Sequence, residues 1–197
     1  MIHIYIDEAG RGPLAGPVYV GLILWNKSPK AKEFKSYKDS KKLSEKQREA
    51  LFTQLEQSSI SRSHGKSSAA YIDRNGIVAA IRHAIVQGVK KLIPSPKWSD
   101  VTLHIDGNTD FGLREKFPWM TICTYIKGDD RIPAISAASI IAKVSRDREM
   151  VKLDKKYPSY GFAQHKGYGT QQHRNTIIHY GLSKEHRTSF CRNITVL

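Results

Sequence analysis

Residues 2–25, IHIYIDEAGRGPLAGPVYVGLILW, hold two β-rich runs joined by a glycine- and proline-rich turn. Ile2, Ile4 and Ile6 alternate along the first run as a half-buried strand requires, and PVYVGLILW (17–25) supplies a second run. The spacing predicts an N-terminal hairpin. It also places the adjacent carboxylates Asp7 and Glu8 at a strand end, beside Gly10, Arg11 and Gly12. Two readings stand for this turn: a tight hairpin with an ion pair, or a site that holds metal and touches a phosphodiester.

Moving outward, NKSPKAKEFKSYKDSKK (26–42) is a lysine-dense polar loop, either a solvated face or a track for a phosphate backbone. LSEKQREALFTQLEQS (43–58) reads as a helix, with capping-box spacing at Ser44 and Gln47 and a shared face for Leu51 and Leu55. GIVAAIRHAIVQGVKKLI (76–93) puts Ile77, Ile81, Ile85 and Val89 at helical spacing, and IPSPKWSD breaks the helix. VTLHIDGN (101–108) is an alternating run that meets Asp106, and TICTYIKGDD (121–130) is a β-branched run ending in Asp129 and Asp130. From Pro133, AISAASIIAKVSRDREMVKLDKKY predicts a long helix whose Ser136, Ala137, Ala138 and Ser139 permit close packing. After YPSYGF the chain becomes basic and loop-rich, without internal repeats.

At 197 residues the chain fits one domain with a helical extension and can bury a substantial core. Its formal charge is +14, which favours polyanionic partners, nucleic acid first among them. Cys123 and Cys191 are too few for a disulfide framework and lack metal-ligand spacing. No apolar run approaches the length of a membrane span, so a cytoplasmic location is the expectation, and with no oligomer interface legible a monomer is the default.

Three predicted strands thus stop at acids: Asp7 with Glu8, Asp106, and Asp129 with Asp130. If the strands are neighbours the carboxylates converge, and their mutual repulsion calls for cations, with oxygen-only ligands suiting Mg²⁺ or Mn²⁺. The plain alternative is that each acid caps a turn. Successive strand residues face opposite ways, so a bulge or strand end near Gly10 is expected if Asp7 and Glu8 are to share a metal. Paired cations would support in-line phosphodiester hydrolysis, and Gly10 and Gly12 would let backbone approach a sugar and test its 2′-OH. In HKGYGTQQHR (165–174), Tyr168 lies between glycines, placed either to stack on a sugar or base or to pack on the core. The histidines show no zinc pattern, His165 and His173 being too far apart for one helix face.

The ordered stretches IDEAGRGPLAGPV, DSKKLSEKQRE, HIDGN, IKGDDRIPAISAASIIAKVSRDREM, YPSYGFAQHKGYGT and HRTSF resemble ribonuclease HII, the type 2 ribonuclease H family, along nearly the whole chain. The resemblance implies an α/β, ribonuclease H-like fold: a central mixed sheet of about five strands flanked by helices, in a single catalytic domain (1–197) whose residues from about 155 to 197 form a helical and loop substrate-binding extension. It implies a divalent-metal endoribonuclease that cuts the RNA strand of RNA/DNA hybrids. It also implies incision 5′ of ribonucleotides in duplex DNA, leaving 3′-hydroxyl and 5′-phosphate ends, in support of primer removal and ribonucleotide excision repair. By motif position the metal-binding acids are Asp7, Glu8, Asp106 and Asp129, holding Mg²⁺ or Mn²⁺, two ions with substrate bound. Gly10, Arg11 and Gly12 carry over as the substrate-sensing turn, and Tyr168 as the residue that stacks at the ribo-to-deoxy junction. Arg11 separates the chain from the related type 3 family, which lacks this arginine pattern. The alternative class is a non-catalytic basic nucleic-acid-binding protein.

Overall fold

The computed structural model describes residues 1–26, 37, 43–94 and 98–194, so most of the lysine-dense loop of 26–42 lies outside the described residues. Strands β1 (Ile2–Ala9), β2 (Val18–Leu24), β3 (Ser61–Ser67), β4 (Val101–Asp106) and β5 (Thr121–Tyr125) form one mixed sheet in the order β3-β2-β1-β4-β5. β1, β2 and β3 pair antiparallel, whereas β1–β4 and β4–β5 are parallel. The N-terminal hairpin is therefore present, and β1 lies at the sheet centre. The parallel register Ile6↔Ile105 brings Asp7 and Asp106 to the same end of neighbouring strands.

Helices cover both faces. Against one lie α2 (Ala69–Asn75) and α3 (Ile77–Leu92), burying Ile72, Ile81, Ile85 and Val89 over Ile4, Ile6, Val20, Leu22 and Leu103. Against the other lie α1 (Glu45–Gln57) and α6 (Pro133–Lys156), where Phe52, Leu55, Ala138 and Ile141 meet Tyr5 and Ile23. The alternation of Ile4, Tyr5 and Ile6 between the two cores follows from the pleat. At the start of α1, Ser44 and Gln47 form the expected reciprocal capping box. Short helices α4 (Leu113–Lys116), α5 (Gly128–Arg131) and α7 (Phe162–His165) and the ten-residue α8 (Gln171–Tyr180) complete the chain.

α6 does more than cover the sheet. A Cβ built on Gly21 of β2 would overlap the Ala138 carbonyl oxygen and crowd the Ala142 amide, so the helix backbone rests directly on the strand. Small residues on both elements permit this contact, and Gly21 is the cross-strand partner of Asp7.

Of the two alternatives expected near Gly10, the structure has the strand end and not the bulge: β1 runs through Asp7 and Glu8, paired regularly with Gly21, Val20 and Tyr19, and ends at Ala9. One expectation about a strand end is corrected. β5 stops at Tyr125, and Asp129 belongs to α5, which begins after Lys127 turns the chain at φ 54°. Strand β3 was not expected, because SRSHGKS has no apolar alternation to announce it. It is held as an edge by seven pairings with β2 and by α3, whose Ala84 carbonyl sits where a Cβ of Gly65 would stand. No helix among the described residues is long and apolar enough to cross a membrane.

The Gly21 contact yields a direct test. Gly21→Ala forces α6 off the sheet and costs about 3 kcal/mol of stability, at the upper end of ordinary overpacking. Urea denaturation of the two proteins in chelator measures it, and an unchanged midpoint would contradict the backbone contact.

Candidate active site

Asp7, Asp106 and Asp129 each bring a carboxylate oxygen to within 4.8 Å of the others. Different elements deliver them: β1 the first, the end of β4 the second, α5 the third. Asp106 organises the group, because its Oδ1 accepts the Gly128 amide at 2.7 Å and the Asp129 amide at 3.3 Å. It thereby seats the first turn of α5, with Asp129, against β4. Asp7 Oδ1 accepts the Glu8 amide at 2.8 Å. Asp130, adjacent in sequence, is exposed and outside the group.

Glu8 is not part of this triad. Regular pairing on either side of Asp7 and Glu8 sends their side chains to opposite faces of β1, and Glu8 lies 3.9 Å from the Arg11 guanidinium. Burial pushes the Asp7 carboxyl up to about 6, with Asp106 adding repulsion and Ser139, the Glu8 amide and Lys143 offsetting part of it. Glu8 rises to about 7, chiefly through burial, then through the charge of Asp7, with Arg11 opposing. Three carboxylates this close, two buried and Asp106 partly so, suit a hard divalent cation. Among the described residues no nitrogen or sulfur donor joins them, and an oxygen-only set suits Mg²⁺ or Mn²⁺.

Beside the triad opens a cleft of about 510 Å³, whose lining includes Glu8, Gly10, Arg11, Gly12, Arg146 and Tyr168. Gly10 adopts φ 89°, and a Cβ there would collide with the Arg146 side chain, so this glycine serves the fold itself. Gly12 differs. Its φ is not positive, and nothing lies within 4 Å of where a Cβ would stand. Arg11 is exposed, with its guanidinium 5.9 Å from the Phe111 ring.

Tyr168 faces the cleft half exposed, its ring 5.8 Å from the Arg146 guanidinium. Its backbone is fastened by three histidines that showed no motif in the sequence. His173 Nδ1 donates to the Tyr168 carbonyl at 2.9 Å, and its Nε2 lies 3.0 Å from Nε2 of His186. His165 stacks on His173, its Nε2 donating to the Tyr160 carbonyl and its Nδ1 accepting the Gly167 amide. Burial holds His173 and His186 down at about 4, which keeps these two rings neutral and the contact between them intact near neutral pH. His165 and His173 do come together, from α7 and α8 rather than from one helix face.

A ribonuclease HII family model matches residues 4–193. The ribonuclease HII of Geobacillus thermodenitrificans is 45% identical over 185 residues, covering 94% of this chain and 66% of that protein. The chain thus spans just under two thirds of that relative's length. The ribonuclease HII of Shewanella piezotolerans is 41% identical over 187 residues, covering 94% of this chain and 86% of its own. Among solved structures, the ribonuclease H2 from Pyrococcus horikoshii superposes with a TM-score of 0.75 at 27% identity, covering 98% of this chain and 97% of that one.

The raised carboxyls give a pH-dependent expectation. Their unfolded values lie near about 4, so the metal-free folded state binds more protons between about pH 4 and 7, and the contribution of these acids to stability falls as pH rises through that window. A divalent cation binds the ionised forms and tightens across the same window with proton release. The rise in melting temperature caused by Mn²⁺ should therefore grow from about pH 5.5 to about pH 7.5, and shrink to near zero in Asp106→Asn. An equal rise at both pH values would contradict the assignment of these acids.

Proposed function

Because this chain belongs to the ribonuclease HII family, we propose that it is a divalent-metal-dependent endoribonuclease acting on the RNA strand of RNA/DNA hybrids and on ribonucleotides embedded in duplex DNA. The observation that carries this reading is the triad of Asp7, Asp106 and Asp129, two of them buried and the third partly so, with its neighbour Glu8 lining a cleft shared by backbone glycines, cations and a half-exposed tyrosine. Asp7, Asp106 and Asp129 hold Mg²⁺ or Mn²⁺, and Glu8 contributes a fourth carboxylate from the other face of β1. With two ions bound, the site supplies an activated water and stabilisation of the leaving oxygen in a phosphodiester displacement.

The chain's own groups do the selecting. Gly12 leaves open space where any other residue would place a Cβ, so a ribose can reach the loop backbone and its 2′-OH can be tested there. Arg11 holds Glu8 and offers a cation to the adjacent phosphate. Tyr168 stacks on the sugar at the ribo-to-deoxy junction, on a loop kept in place by His173. Residues from about 155 onward act as a substrate-binding extension, and the +14 charge draws the nucleic acid in. Incision 5′ of the ribonucleotide would leave 3′-hydroxyl and 5′-phosphate ends, the product needed for primer removal and ribonucleotide excision repair.

The decisive assay is incision of a labelled DNA duplex carrying one ribonucleotide, with Mg²⁺, with Mn²⁺ and with chelator. Wild type should cut 5′ of the ribonucleotide only with metal, and Asp7→Asn should abolish cutting. Binding without incision in wild type would refute the enzymatic reading. The two glycines should also separate. Gly12→Ala should keep its melting temperature and lose roughly a hundredfold in kcat/KM, the scale of an about 1 Å displacement of bound substrate. Gly10→Ala should lower the melting temperature, since its positive φ and its contact with Arg146 are needed in the free protein.

A further inference from the structure

Arg187 is fully buried, and its guanidinium donates to three carbonyls of the β1–β2 loop: Gly10 at 2.6 Å, Arg11 at 3.0 Å and Gly16 at 3.0 Å. Arg146, also buried, takes the Pro17 carbonyl at 3.0 Å and the Ala15 carbonyl at 3.2 Å. Among the described residues neither guanidinium has a carboxylate within salt-bridge distance. Two charges normally too costly to bury are thus balanced by carbonyl dipoles of one short loop. A fork of fixed donors suits this arrangement, whereas an ammonium cannot span it.

The geometry has a polarity. A peptide whose carbonyl oxygen is turned inward carries the amide of the following residue on its opposite side. The carbonyls of Gly10 and Arg11 are drawn into the protein by Arg187, so the amides of Arg11 and Gly12 are turned away from it. Neither amide makes a hydrogen bond among the described residues, and both residues line the cleft. Arg187 is itself held from a third element. Asp73 of α2 accepts the Thr188 amide and hydroxyl on Oδ2, at 2.8 and 2.9 Å, and the Ser189 amide and hydroxyl on Oδ1, at 3.0 and 2.5 Å.

We propose that Arg187, clamped by Asp73, is a positioning residue for sugar discrimination: it pulls the Gly10 and Arg11 carbonyls inward and so aims the Arg11 and Gly12 amides at the ribose. This rests on the proposed ribonuclease reading and adds to it two residues remote from the substrate. Burial and the charge of Arg146 push the Arg187 pKa down to about 9, which leaves it protonated at neutral pH. The loop is therefore held by a permanent charge through the working range.

The test measures binding in Ca²⁺ to two otherwise identical duplexes, all-DNA and carrying one ribonucleotide, for wild type, Arg187→Lys and Asp73→Asn, with melting temperatures alongside. Wild type should prefer the ribonucleotide duplex. Arg187→Lys should lower that preference about tenfold, the scale of one lost hydrogen bond, with all-DNA binding unchanged. Asp73→Asn should lower it in the same direction by a smaller factor. A purely structural role would move the melting temperature or both affinities together and leave their ratio intact. Preserved preference in folded Arg187→Lys would overturn the proposal, and if that variant does not fold, preserved preference in Asp73→Asn overturns it. A wild type that binds both duplexes equally would instead overturn the functional reading itself, together with this one.

Discussion

The structure depends on one backbone contact, where α6 rests on β2 at Gly21 through Ala138 and Ala142. From that point the helix works as a ruler. One turn beyond Ala142, Arg146 reaches the carbonyls of Ala15 and Pro17, and a further turn along Met150 packs against Gly16 and Gly167. Residues 138, 142, 146 and 150 recur every four positions, so one stripe of one helix touches the sheet, the β1–β2 loop and the C-terminal segment in succession. Were the helix a side chain's thickness further out, none of these three contacts could form. The same closeness brings Ser139 and Lys143 beside Asp7.

Charge is sorted with comparable economy. The acids gather where β4 ends beside Asp7 of β1 and α5 begins, and their repulsion is part of what makes the place suited to a cation. A short distance away, two buried guanidiniums donate to backbone carbonyls of the β1–β2 loop and, among the described residues, to no carboxylate. Had either arginine been given a carboxylate partner of its own, that acid would have competed with the triad for cations. Carbonyl dipoles avoid the conflict: they stabilise positive charge and bind hard metals weakly when already engaged by a donor.

Much of this was legible in the sequence wherever local periodicity carries the signal. The capping box at Ser44 and Gln47, the stripe from Ile77 to Val89, the small residues of α6 and the N-terminal hairpin all follow from spacing and residue type. Convergence of Asp7, Asp106 and Asp129 could be anticipated, but not that Asp129 sits in a helix, because Lys127 and Gly128 redirect the chain after β5. β3 was hidden because an edge strand of serines and basic residues owes its place to backbone pairing rather than to apolar alternation. His165, His173 and His186, and likewise Asp73 and Arg187, act through partners far away in sequence, so no window of neighbouring residues reveals them. The signal that could have found Arg187 is its setting in HRTSF, a stretch that took part in the family resemblance without any assigned task.

The reach of Arg187 back to Gly10 spans 177 residues. During synthesis β1 precedes β4 by about a hundred residues, and the four acids are all present once residue 129 is made. The loop between β1 and β2 is closed only when residue 187 arrives, since long-range contacts form after the chain between them is available. A polypeptide that stops short of residue 187 carries the acids of β1, β4 and α5 without the three carbonyl contacts that order the loop beside them.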